Sequence, residues 1–179
     1  MTDHPKISCV LITREPVYPE IILDRLDLDF FDEILIQADC PSIYHRYLAA
    51  ATAKNEIIYV QDDDCFVNYQ VLFKNYNGQI TNTMTLPFQK QYKPLGCTLV
   101  GWGCYFPKFM LKVFDKYIAK YGVDEHLLRE ADRIFTYLNQ PHNVIIQPHE
   151  DLFQTPDRMG YQPNHFQSAQ EALEKVKNL

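Results

Sequence analysis

Three short apolar runs in the first sixty residues each stop abruptly in a polar cluster. ISCVLIT (7–13) runs into Arg14-Glu15, EILIQ (33–37) into Ala38-Asp39, and IIYV (57–60) into Gln61 and then Asp62-Asp63-Asp64. The runs are continuous rather than alternating, which is the pattern of strands covered on both faces. Between them lie helix-forming stretches. One opens after Pro16 and Pro19, near Glu20–Leu26, and the other is SIYHRYLAAATA, for which Ser42 is a candidate cap. Asn68–Tyr76 reads as a third helix, stopped by Asn77-Gly78. Strand and helix in alternation predict an α/β fold, a three-layer sandwich with a mostly parallel central sheet and helices on both faces. Ligands bind such sheets at the carboxyl ends of strands, so the polar clusters stand where a site belongs.

The second half is more mixed. ITNTMTLPF (80–88) reads as a strand, and CTLVGWGCYFP holds strand-like residues broken by Gly96, Gly101 and Gly103. Lys108–Tyr121 and Asp124–Asn139 read as helices, 143–147 as a strand and 168–177 as a terminal helix. No repeat or linker divides the chain, so residues 1–179 are expected to form one compact domain, its C-terminal loop and helix closing the site. With 46% hydrophobic residues, a buried core is expected. The net charge of -6 and the lack of Lys/Arg runs argue against a nucleic-acid partner. The five cysteines, Cys9, Cys40, Cys65, Cys97 and Cys104, include no C-x-x-C pair. They read as reduced, mostly buried thiols of a cytoplasmic protein, and no run is long enough to span a bilayer.

Three adjacent aspartates repel one another and resist desolvation, so something positive is expected to offset them. In an extended chain Asp62 and Asp64 point to one side and Asp63 to the other. Two carboxylates at a strand end suit Mg²⁺ or Mn²⁺, which are bound by oxygen ligands and often share substrate phosphates. A solvated acidic loop is the competing reading.

The ordered set ISCVLIT, EILIQAD, HRYLAAATAKNE and IIYVQDDD resembles the opening of nucleotide-sugar glycosyltransferases of the GT-A fold that carry a D-x-D motif. The likeness covers roughly the first seventy residues well and the rest loosely. It implies a metal-dependent transfer of a sugar from a UDP- or GDP-sugar to a hydroxyl of a glycan or small molecule. Asp62 and Asp64 would meet the Mn²⁺ or Mg²⁺, with Asp63 beside the donor. Asp39 would bind the nucleobase, Arg46 would lie near the nucleotide or the aspartates, and Thr13 and Arg14 would border base and ribose. Trp102 and Gly103 would line the sugar region, Trp102 offering a ring to a sugar face. Arg158 would bind phosphate and His165, with His149 as a rival, would add a metal ligand. In inverting members an acidic residue of a late helix deprotonates the acceptor. Asp132 matches that position best, bordering the stripe Leu128, Ala131, Phe135 and Leu138, and Glu130 is second.

Each residue also has a plain structural reading. Asp39 can cap the following helix, Arg46 can be an ordinary ion-paired residue, Trp102 a core side chain, and Asp132 a partner of Arg129 or Arg133. Two other functions compete. A phosphatase with an acidic strand end would carry it on the first strand, not the third. A nucleotide-sugar-binding protein without turnover would share the donor site but need no base.

Overall fold

The computed structural model describes residues 5–13, 18–38, 40–148, 150–151 and 165–179. The three apolar runs form β1 (Ile7–Ile12), β2 (Glu33–Gln37) and β3 (Ile57–Asp62), with β1 between the other two and parallel to both. Downstream follow β4 (Cys65–Phe66), β5 (Ile80–Met84), β6 (Cys104–Pro107), β7 (His142–Ile146) and β8 (Glu150–Asp151). Six of them make one sheet in the order β2-β1-β3-β6-β5-β7, in which β6 alone runs against its neighbours; β4 and β8 pair separately. The expected α/β sandwich around a mostly parallel sheet is the one observed.

The helices are α1 (Tyr18–Leu23), α2 (His45–Thr52), α3 (Tyr69–Lys74), α4 (Leu86–Tyr92), α5 (Val113–Tyr121), α6 (Glu125–Leu138) and α7 (His165–Lys177). Alternation along the central strands sorts the two cores. Val10, Ile58, Val60, Cys104 and Phe106 pack under α2, α5, α6 and α7. Ile7, Cys9, Leu11, Tyr59 and Tyr105 pack on the opposite face against Ile22 of α1 and Tyr69 and Leu72 of α3. Phe135 is the hub of the first core, with ring centroids 4.8 Å from both Tyr47 and Phe106. Phe135→Ala is expected to cost about 3–5 kcal/mol, read as a lower urea midpoint with the slope unchanged.

Several elements differ from the sequence reading. The strand expected over 80–88 ends at Met84, because Thr85 is the N-cap of α4 and Pro87 sits in that helix's first turn, where its missing N–H costs nothing. The glycine-broken segment yields only β6, preceded by a turn at Gly101 and Trp102. The helix expected over 108–121 begins as a 3₁₀ segment at Lys108–Lys112 and becomes α-helical as α5. Ser42 does not cap α2: the N-cap is Tyr44, without a side-chain bond, and the Ser42 hydroxyl pairs with His45 Nδ1 at 2.7 Å. Asn68 does cap α3, accepting from the Val71 N–H.

None of the five cysteines is in a disulfide; Cys9, Cys65, Cys97 and Cys104 are buried and Cys40 is half-buried. Among the described residues no helix is long and apolar enough to cross a membrane.

Candidate active site

Asp62 is the last residue of β3, two positions beyond Val60, so it faces the α2 and α6 side of the sheet. Arg46, only 3% exposed, donates from Nη2 to Asp62 Oδ1 at 2.6 Å. Its Nη1 lies 3.3 Å from Asp132 Oδ2. Tyr47, the next residue of α2, donates its hydroxyl to the other Asp132 oxygen at 2.7 Å. One helix turn thus joins the end of β3 to the middle of α6. The interleaved Ala49 and Ala50 let α2 lie close on the sheet, while Tyr47 fills the space toward Phe135.

The electrostatics follow from that geometry. Burial works against the charge of Arg46, and the Asp132 and Asp62 carboxylates more than offset it, holding the guanidinium above its ordinary value. Burial lifts Asp132 above the ordinary aspartate value. Arg46 pulls it back, the Asp62 charge adds to the rise, and the Tyr47 hydroxyl opposes it. The Asp132 side chain keeps 21% exposure, so it is desolvated yet open to a ligand. That combination suits a group that takes a proton.

The floor beside Asp62 is the turn before β6. The Gly101 carbonyl accepts from the Asp62 N–H at 2.8 Å. A Cβ on Gly101 would fall 2.1 Å from Asp62 Oδ2, so only glycine leaves that oxygen its place. Gly103, at φ +92°, sits against Val67 and the Tyr59 hydroxyl, and its carbonyl accepts from the Thr83 N–H. Gly101→Ala must displace the Asp62 carboxylate.

Asp63 and Asp64 form the turn between β3 and β4, so strand alternation does not govern their directions, contrary to the sequence expectation. Asp63 is 8% exposed and Asp64 half-buried. Gln61 holds this turn from the opposite face: its amide donates to the Cys65 carbonyl at 2.7 Å and accepts from the Tyr59 hydroxyl.

Thr13 follows β1, is 2% exposed, and bonds through its N–H to the Gln37 carbonyl. Trp102 is half-buried, with Phe88 edge-on at 4.8 Å. Glu130, the second base candidate, is enclosed. It is 2% exposed, bonds Arg133 Nε at 3.1 Å and the Ser168 side chain, and sits at a kink in α6 (φ −120°, ψ 23°). The kink turns Glu130 inward toward α7, while Asp132 faces Arg46 rather than its helix neighbours Arg129 and Arg133. Arg14, Asp39, His149 and Arg158 lie outside the described residues, as does the side chain of His165. Tyr47 and Gln61 carried no sequence signal as site residues: each reads as ordinary core until its partner is known. Two surface depressions of about 320 and 330 Å³, one beside β2 and α2 and one beside α7, include neither Asp62 nor Asp132, so the side-chain chemistry is what marks the site.

Among the described residues no three or more His, Cys, Asp or Glu side chains cluster as a ready-made metal cage. The carboxylate oxygens of Asp62 are hard donors, and the space that Gly101 leaves keeps Oδ2 clear of a side chain. Such oxygens fit Mn²⁺ or Mg²⁺ in the manner of sites completed by substrate phosphates and water.

No protein-family model and no curated protein matches the chain. Among solved structures it is similar to glucosyl-3-phosphoglycerate synthase from Mycobacterium tuberculosis, solved in complex with Mn²⁺, UDP-glucose and phosphoglyceric acid. The TM-score is 0.53 at 11% identity, over 97% of this chain and 79% of that one. The fold is of the GT-A glycosyltransferase type. At this identity the likeness concerns the fold, and the site has to be argued from its own residues.

Proposed function

We propose that this protein is a metal-dependent glycosyltransferase. It moves a sugar from a UDP- or GDP-sugar to a hydroxyl of a glycan or small molecule, with inversion. The observation that carries the reading is the gathering of Asp62 and Asp132 around one buried guanidinium, Arg46, at the strand ends of a GT-A-type sheet. The likeness to a structure containing Mn²⁺ and UDP-glucose supports it.

In this reading Asp62 and Asp64 supply the D-x-D carboxylates. A bound divalent cation there stabilises charge on the departing diphosphate. Asp132 accepts the proton of the acceptor hydroxyl, and Arg46 and Tyr47 keep it oriented. Thr13, with Arg14 and Asp39, borders the nucleoside. Asp63 supports the donor side, Trp102 and Gly103 line the sugar, and Arg158 and His165 add contacts to the diphosphate and cation.

One observation favours a second reading, a nucleotide-sugar binder without turnover: both Asp132 oxygens already have partners in Arg46 and Tyr47. A thermal-shift panel of UDP, GDP, CMP and their sugars, with and without Mn²⁺, tests the donor site common to both. A rise in melting temperature with one nucleoside diphosphate, only when metal is present, is expected. No rise with any of them would overturn both readings. Release of free nucleoside diphosphate from the donor that binds then separates transfer from mere binding.

A further inference from the structure

One buried cation serves two carboxylates, and the two contacts are unequal: Arg46 reaches Asp62 at 2.6 Å and Asp132 at 3.3 Å. We propose that Arg46 is a positioning residue that couples the cation site at Asp62 to Asp132, so that Asp132 governs cation affinity without touching the cation. The proposal rests on the glycosyltransferase reading only in taking Asp62 as a cation ligand.

Arg46 is 3% exposed and has little water to lean on, so its charge is met by these two side chains. The trio carries a net charge of one minus. Asp62 gives Oδ1 to Arg46, and its Oδ2 lies in the space that Gly101 leaves. When Asp62 shares its charge with a cation, its hold on Arg46 weakens. The planar guanidinium then shifts toward Asp132, where the 3.3 Å contact leaves room to shorten. Asp132 itself stays in place, because Tyr47 holds its other oxygen at 2.7 Å and is itself 2% exposed.

The converse follows from reciprocity. Without the Asp132 charge, Arg46 turns wholly to Asp62 and makes it a poorer cation ligand. Donor binding and the orientation of Asp132 are thereby linked through one side chain of α2.

The test is Mn²⁺ binding, read as loss of the free Mn²⁺ EPR signal, with Mn²⁺ alone and with UDP or GDP. Asp132→Asn is expected to weaken Mn²⁺ binding by about fivefold or more in the parent, the lower end of measured coupling between sites. In an Arg46→Lys background the same change is expected to shift affinity less than about twofold, since a single ammonium lacks the fork that spans both carboxylates. Arg46→Gln takes its place if that variant does not fold.

Equal effects of Asp132→Asn with and without Arg46 would mean simple charge acting through space, and would overturn the proposal. So would no effect in the parent. If the parent binds no Mn²⁺ under any of these conditions, the metal reading falls and takes this coupling with it, an outcome distinct from intact binding that ignores Asp132.

Discussion

Asp132→Asn is expected to lower the turnover of sugar transfer by about 10²–10⁴-fold at saturating Mn²⁺ and donor, the range for removal of a general base. The amide keeps the shape of the carboxylate and can still accept from Tyr47, so a change of fold would not account for the loss. Steady-state release of nucleoside diphosphate from the donor measures it, with circular dichroism confirming the fold. A rate within a few-fold of the parent would remove Asp132 from the chemistry and leave retention by front-side displacement, whereas no release by either protein would leave binding without turnover.

Burial raises Asp132, so the acid limb of the rate profile should lie above the ordinary aspartate range and disappear in the Asn variant. For stability the sign is the reverse. A carboxyl whose folded value is raised contributes stability that is present below its unfolded pKa and is lost as pH rises through the folded value. Ionised Asp132 is thus kept at some cost to stability.

Changing both Asp62 and Asp64 to Asn should have the other large effect. Cation-dependent nucleotide binding is expected to fall by more than the roughly 10–100-fold typical of outer-shell changes, because the donors themselves are removed. The substitution also leaves Arg46 with Asp132 as its remaining charged contact, so a lower melting temperature is expected as well. Calorimetric titration with the nucleoside diphosphate and Mn²⁺ separates the two consequences. Unchanged metal-dependent affinity would sink the assignment of the D-x-D carboxylates, whatever happened to stability.

What could be read before folding was local. The runs at 7–13, 33–37 and 57–60 are apolar and β-branched without alternation, and each became a strand within a residue or two of its expected ends. β1 and β3 are the buried, inner strands the pattern implied, whereas β2 lies at the edge of the sheet and is only half-buried, because position in the sheet is set by pairing and not by the run itself. Asp124 capping α6 and Asn68 capping α3 express simple short-range hydrogen bonding. The segment 80–107 was legible only in part. Its turns depend on Pro87 and on glycines whose conformations answer to Asp62, Tyr59 and Val67, residues distant in sequence.

By itself the sequence determined that an acidic cluster would end a buried strand, because hydrophobic periodicity is a property of neighbours along the chain. It also named Arg46 and Asp132 as candidates, through the resemblance rather than through any spacing. Only the tertiary structure decided that the two meet, that Tyr47 holds the far oxygen of Asp132 across 85 residues of chain, and that Glu130 turns inward at a kink. The reason is physical. A guanidinium only 3% exposed must find its counter-charges wherever packing brings them, and packing is set by the whole core, which no stretch of sequence contains.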